Sequence, residues 1–142
     1  MSEFSISSPD FEEGGEIPKK FGYKNGNNMP KIDLHDLPAG TVTTAIIMDD
    51  PDAMAAVGKV WVHWLAYHRS SRRTDVTEGR NDFGERGYGG PAPPDKRHTY
   101  IFKAYALDTY LHLKEGYSKQ ELEDAMKGHI IAEAKLTGTY AP

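Results

Sequence analysis

Apolar and polar positions along the chain group into short runs rich in β-branched and aromatic residues, each ended by a turn cluster. The turn clusters are Gly14-Gly15, Asn25-Gly26-Asn27-Asn28, Pro38-Ala39-Gly40, Asp50-Pro51-Asp52 and Gly87-Tyr88-Gly89-Gly90-Pro91. Glycine and proline at this density break long helices, and the spacing predicts an all-β sandwich or barrel. Three runs dominate. Thr41–Asp49 is apolar over its later half and reads as a central strand buried on both faces. Lys59–His68 and His98–Leu107 are aromatic and β-branched, so strand is the better assignment for both.

Near the C-terminus the pattern changes. Ser118 and Glu121 have capping-box spacing and open a short helix through about Lys127, stopped by Gly128. Ile130, Ala132, Ala134 and Leu136 then alternate with Ile131, Glu133, Lys135 and Thr137, which predicts a last strand; Ala-Glu-Ala-Lys also suits a helical extension. There is no internal repeat and no linker, so residues 1–142 read as a single domain. Residues 69–90 break the pattern, with few core-forming side chains and much Gly, Arg, Asp and Glu. A loop of that length in a compact domain is usually functional or disordered.

Composition narrows the classes. The 142 residues include no cysteine, which excludes disulfide frameworks, thiolate metal sites and cysteine nucleophiles. The net charge of −4 argues against nucleic-acid binding by charge, and the five arginines of 69–90 are nearly cancelled by four acids. Met1-Ser2-Glu3-Phe4 lacks the basic and apolar regions of a signal peptide. The apolar runs fall well short of the ~20 residues a membrane helix needs. The expectation is a soluble, cytoplasmic protein with no stable membrane insertion.

Four places can carry chemistry. Asp50 follows the buried run on the Val42, Thr44, Ile46, Met48 face; with Asp52 it is either turn chemistry or part of a pocket. His63 interrupts an aromatic strand, and strict alternation groups it with Trp61, Leu65 and Tyr67, opposite Val60, Val62, Trp64, Ala66 and His68. A histidine there needs a partner, either within the core or in a ligand. His98 and Tyr100 share a face with Phe102, Ala104 and Ala106 at the start of the third run. Before them, Gly89-Gly90-Pro91-Ala92-Pro93-Pro94 is a stiff segment that cannot join a ladder: a pocket wall or a plain connector. Two histidines, a tyrosine hydroxyl and amides of small residues are hydrogen-bond donors suited to an oxyanion.

Asp50-Pro51-Asp52-Ala53, Trp61-Val62-His63-Trp64-Leu65, and Gly90-Pro91-Ala92-Pro93-Pro94 with His98-Thr99-Tyr100 together resemble the phosphatidylethanolamine-binding protein family, also called Raf-kinase-inhibitor-like proteins. Ser8-Pro9-Asp10-Phe11, Gly15-Glu16-Ile17-Pro18 and Gly138-Thr139-Tyr140 resemble its bacterial and archaeal branch. The resemblance implies two antiparallel sheets in a Greek-key sandwich, with one or two short helices near the C-terminus. It also implies a small anion pocket at one end. Carried over by motif, Asp50, His63, His98 and Tyr100 form that pocket, and Asp52, Trp64, Ala92 and Pro93 line it. Met54 stands where the family pattern has proline, Thr99 where it has arginine, Ala92 where cysteine or glycine is common, and Lys96 where glycine is common. Strand alternation points Thr99 away from His98.

The leading functional reading is a non-enzymatic binding protein for a phosphate-like or carboxylate head group, without a cofactor. The resemblance links it to inhibition of a protease or kinase and to a homodimer. A second reading is a metal-assisted hydrolase with Asp50, Asp52, His63 and His98 as ligands, against which Pro51 splays the two carboxylates. A third is a protein–protein inhibitor acting through residues 69–90.

Overall fold

The computed structural model describes residues 3–68 and 75–142. It is mostly strand: β1 (Ser5–Ser7), β2 (Gly15–Glu16), β3 (Asp33–His35), β4 (Thr43–Asp50), β5 (Trp61–His68), β6 (Val76–Glu78), β7 (His98–Leu107) and β8 (Ile130–Tyr140). Among the described residues, two short α-helices, α1 (Ala53–Val57) and α2 (Lys119–Met126), and a single 3-10 turn at Lys19–Phe21 interrupt them. The three β-rich runs of the sequence become β4, β5 and β7, and the alternating C-terminal segment becomes β8. The Ser118–Glu121 capping box is formed: the Ser118 hydroxyl accepts from the Glu121 amide, and the Glu121 carboxylate accepts from the Ser118 amide.

A six-stranded sheet in the order β2-β8-β7-β4-β5-β6 carries the domain, and β1 pairs with β3 in a separate two-stranded sheet. Every residue of β4 is buried, because it lies between β7 and β5 and is covered on both faces. On one face, Ile46, Met48, Trp64, Tyr100 and Phe102 pack with Ile6, Phe11, Ile17 and Phe21. On the other, Ala45, Ile47, Leu65, Tyr67 and Leu107 pack beneath Leu122 and Met126 of α2 and under Leu111 and Tyr117. A helix as short as α2 is held by that packing rather than by its own hydrogen bonds.

Three features depart from the sequence pattern. First, the sheets are not wholly antiparallel: β2 runs parallel to β8, with Gly15 opposite Gly138 and Glu16 opposite Thr139. No hairpin constrains strands so far apart in sequence, and the two motifs that contact each other here are Gly15-Glu16-Ile17-Pro18 and Gly138-Thr139-Tyr140. Second, Met48 pairs with Trp64 and Asp49 with Val62, so His63 is the extra residue of a β-bulge. The bulge shifts the alternation, and Val62 joins Leu65 and Tyr67 instead of Trp64. Third, the turn after Asp50-Pro51 continues into α1, ended by Gly58 in the left-handed region (φ 78°), whose amide donates to Met54 O.

Part of the segment expected to be a loop over 69–90 is ordered by the sheet edge, while 69–74 lies outside the described residues. β6 pairs with β5, after which Gly79 N donates to Leu65 O, Asp82 N to Val62 O and Gly89 N to His63 O. Buried Asn81 organises the turn: its carbonyl accepts from Phe83 N and Glu85 N, and its amide donates to Gly87 O. Backbone satisfied in this way needs few apolar side chains, which explains the polar composition.

Candidate functional site

The end of β4 and the start of β7 lie side by side, since Asp49 pairs with Ile101, three residues along β7 from His98. Alternation sends the two neighbouring acids to opposite faces. Asp49 accepts from Lys103 Nζ at 3.3 Å and Lys119 Nζ at 3.0 Å on the α2 side. Asp50 turns to the other face, where its Oδ2 lies 2.6 Å from His98 Nδ1. The second oxygen of Asp50 accepts from Asp52 N at 2.9 Å. The other ring nitrogen of His98, Nε2, lies 2.7 Å from Asp95 Oδ1. His98 is thus held between two carboxylates.

His63 reaches the same place from the bulge in β5. Its Nδ1–H donates to Gly89 O at 2.7 Å, while Gly89 N donates back to His63 O at 2.8 Å. Its ring meets Tyr100 edge-on at 5.1 Å and Phe83 at 5.6 Å. The wall formed by 88–91 is clamped from the N-terminal segment. Gly90 N donates to Asn27 Oδ1, Tyr88 Oη to Phe21 O, and Tyr23 N to Pro91 O. A Cβ at Gly90 would overlap the Phe21 carbonyl oxygen, so only glycine allows this approach.

Together these groups enclose a cavity of about 370 Å³. Asp50, His63, His98, Tyr100 and Ala92, five of the residues that the resemblance carried over, line it. Pro94 rather than Pro93 completes the proline wall; Pro93 is buried behind it. Asp52 supports the cavity from outside, its Oδ2 accepting from Thr99 N at 2.8 Å. Trp64 faces elsewhere: its indole N–H donates to Glu78 Oε2 at 2.8 Å, beside a separate groove between the sheets, because the bulge rotates the chain between Trp64 and Val62. Sequence reasoning missed Phe83, whose ring stacks on Tyr23 at 3.9 Å and meets Trp61 edge-on. It also missed Asp95, although an acid three residues before His98, directly after Pro93-Pro94, was a readable signal.

The electrostatics separate the two histidines. Burial opposes a charge on His98, but hydrogen bonds to Asp50 and Asp95 outweigh it and its pKa is raised. Burial raises the Asp50 pKa despite its bond to His98, and the same imidazole lowers that of Asp95. His63 goes the other way: burial lowers its pKa to about 4, and the Gly89 carbonyl only partly compensates. At neutral pH His63 is therefore uncharged, with its one proton on Nδ1 and Nε2 an acceptor. It is not the second donor supposed from the sequence.

Tyr100 is fully buried, and its hydroxyl has no hydrogen-bond partner among the described residues; neither does Trp61 Nε1. Burial raises the Tyr100 pKa, keeping the hydroxyl protonated. The cavity thus offers donors at Tyr100 and Trp61 and an acceptor at His63. Among the described residues no three His, Cys, Asp or Glu side chains form a metal-holding group. In the ligand set of the second reading, Asp52 is engaged by Thr99 N and both nitrogens of His98 by acids.

A family model described as phosphatidylethanolamine-binding protein matches residues 7–141. A protein of Chlamydia muridarum named UPF0098 protein is 39% identical over 145 residues, covering 95% of this chain and 97% of its own. The crystal structure of a phosphatidylethanolamine-binding protein homolog from Chlamydia trachomatis is similar at a TM-score of 0.89 and 36% identity, covering 99% of this chain and 98% of its own. That of Escherichia coli YBCL, described as a new member of the mammalian family, gives a TM-score of 0.87 at 29% identity, with 98% of each chain covered. No helix among the described residues is long and apolar enough to cross a membrane.

Proposed function

The chain belongs to the phosphatidylethanolamine-binding protein family, and from that premise we propose that it is a non-enzymatic binding protein whose cavity at Asp50, His63, His98 and Tyr100 holds a small phosphate- or carboxylate-type group. The group carries one proton or hydroxyl, because neutral His63 has a lone pair to satisfy while Tyr100 has a proton to give. A monohydrogen phosphate, a phosphomonoester head group or a carboxylic acid meets both demands. The Greek-key sandwich belongs to the same reading, and what supports it is the order β7-β4-β5-β6, antiparallel throughout, which suits a fourth strand returning beside the first.

One observation carries the reading. The Tyr100 hydroxyl is buried without a partner, and an unmet buried donor costs about 1–3 kcal/mol. A ligand oxygen at the cavity restores that bond. Binding is favoured over catalysis because the lining offers no activated nucleophile. Asp50 is engaged by His98 and Asp52 N, and the Tyr100 proton is held tightly. The test is a titration of inorganic phosphate and of acetate followed by amide spectra of the wild type and Tyr100→Phe. Saturable shifts at Ala92, His98 and Tyr100, weakened in the variant, are expected. Equal affinities overturn the reading.

A further inference from the structure

The hydrogen bond that an anion would take from the outer nitrogen of His98 is already taken. Asp95 Oδ1 lies 2.7 Å from His98 Nε2. Asp50 occupies the other nitrogen, so the ring has no third N–H to offer a ligand. The two acids differ in how they are held. The Asp50 side chain is 4% exposed and also accepts from Asp52 N, so it is locked from two sides. The Asp95 side chain is 40% exposed and has water beside it to turn into.

Asp95 is also a carboxylate of the class proposed for the ligand, tethered three residues from the ring it caps. The tether is short and stiff on its N-terminal side, where Pro93-Pro94 fixes the backbone. Such a group is present at high effective concentration on His98.

We propose that Asp95 is a built-in competitor for the cavity, resting on His98 Nε2 until a small phosphate or carboxylate displaces it outward and takes over that hydrogen bond. This rests on the reading of the cavity as an acid-group site and adds how the site is closed when empty. The exchange breaks one charge-assisted bond and makes another of the same kind, so the net affinity is low while Asp95 is present. It also confines access to ligands able to reach His98 in the space that Asp95 vacates.

The probes are sodium phosphate and sodium acetate at constant ionic strength, titrated into the wild type, Asp95→Ala, Asp95→Asn and Asp95→Ala/His98→Ala. Amide shifts report affinity, and ¹⁵N shifts of the His98 ring report the Nε2–H bond. Asp95→Ala should bind about tenfold more tightly, and Asp95→Asn, which keeps an acceptor without its charge, should lie between. The gain should vanish in the double variant. The His98 Nε2 signal should move in ligand-free Asp95→Ala and return when acetate saturates it.

Weaker binding in Asp95→Ala would overturn the proposal, because Asp95 would then be positioning His98 for the ligand. Unchanged affinity in Asp95→Ala, with binding still weakened by Tyr100→Phe, overturns the competitor and leaves the site intact. Saturable binding in neither the wild type nor Asp95→Ala removes both readings together.

Discussion

His98 Nδ1 and Asp50 Oδ2 are 2.6 Å apart, and their side chains are 0% and 4% exposed, so this contact is a bond between two groups withdrawn from water. It joins the last residue of β4 to the first residue of β7, which antiparallel pairing brings to one end of the sheet. Removing one partner leaves the other buried, and such losses typically cost 3–5 kcal/mol. Asp95 still holds the outer nitrogen, so about 2–3 kcal/mol is expected for Asp50→Ala. The raised pKa of His98 sets the sign of the pH dependence. A histidine raised above its unfolded value of 6.5 contributes stability that is complete below that pH and lost as pH rises through the folded pKa. The Asp50→Ala penalty, measured by urea unfolding, should therefore be larger near pH 5.5 than near pH 9. A penalty independent of pH would show that His98 carries no charge in the fold.

Much of this pair was readable from the sequence, because β4 and β7 are regular where it forms. Alternation put Asp50 beyond Ile46 and Met48, and His98 on the face of Tyr100 and Phe102, and those residues share one core. Regularity fails at His63, where one inserted residue shifts the alternation by a single position, and Trp64 therefore lies beside a different groove from the one strict alternation and motif imply. Nothing local marks the bulge; it follows from how β5 must meet β4 and the 79–90 segment together. Loop residues follow no alternation, and of the two that matter only Asp95 carries a local signal, its spacing from His98. Asp95 and Phe83 reach the site through turns whose geometry depends on Pro93-Pro94 and buried Asn81, and no periodicity describes those.

The neutral state of His63 should be visible in the acid limb of stability. Its pKa is lowered from 6.5 to about 4 by burial, so the unfolded chain binds more protons between those values. The contribution is complete above pH 6.5 and is lost as pH falls toward about 4. The full swing for a shift of this size is about 3 kcal/mol. His63→Gln keeps a donor for the Gly89 carbonyl without titrating. The difference in unfolding free energy between wild type and variant should slope across that window and be flat above it. A flat difference throughout would place a charged His63 in the fold.

The proline wall depends on Gly90. A Cβ there overlaps Phe21 O and comes within 3.0 Å of Gly22 C, both backbone atoms that cannot rotate aside. Gly90→Ala should cost about 2 kcal/mol or more, because the 21–23 and 90–91 segments must separate. Separation also breaks the bond from Tyr23 N to Pro91 O, so Ala92 moves relative to Tyr100 and ligand affinity falls together with thermal stability. Unaltered melting would mean the two segments are not in contact.

Thr99 offers the converse case. It lies on the sheet face opposite His98, paired with Thr139, and its amide rather than its side chain serves the site through Asp52 Oδ2. Arg97 Nη1 already lies 3.3 Å from Thr139 Oγ1 and 3.7 Å from Glu16 Oε1. Thr99→Arg should leave phosphate affinity within a factor of about two, since a surface charge of this kind is worth well under 1 kcal/mol. A tenfold change in the phosphate titration would mean that the side chain at 99 reaches the cavity.

Tyr100 separates function from stability. Its ring is fully buried among His63, His98 and Phe102, while its hydroxyl finds no partner. Tyr100→Phe keeps the ring and removes only the unmet group. In most buried tyrosines that change costs stability by breaking a bond; here it removes a desolvation penalty of about 1–3 kcal/mol. The variant should therefore melt at or above the wild-type temperature in ligand-free buffer. Phosphate should then raise the melting temperature of the wild type more than that of the variant, because ligand binding stabilises in proportion to affinity. The loss of one hydrogen bond to a charged oxygen, about 1.5–3 kcal/mol, corresponds to roughly ten- to a hundredfold in affinity. The two curves should approach each other as phosphate is added and cross where ligand stabilisation exceeds the relief gained by deleting the hydroxyl. A variant that is less stable without ligand would show that the hydroxyl is already bonded in the empty cavity. In that case the argument for a ligand oxygen at Tyr100 fails with it.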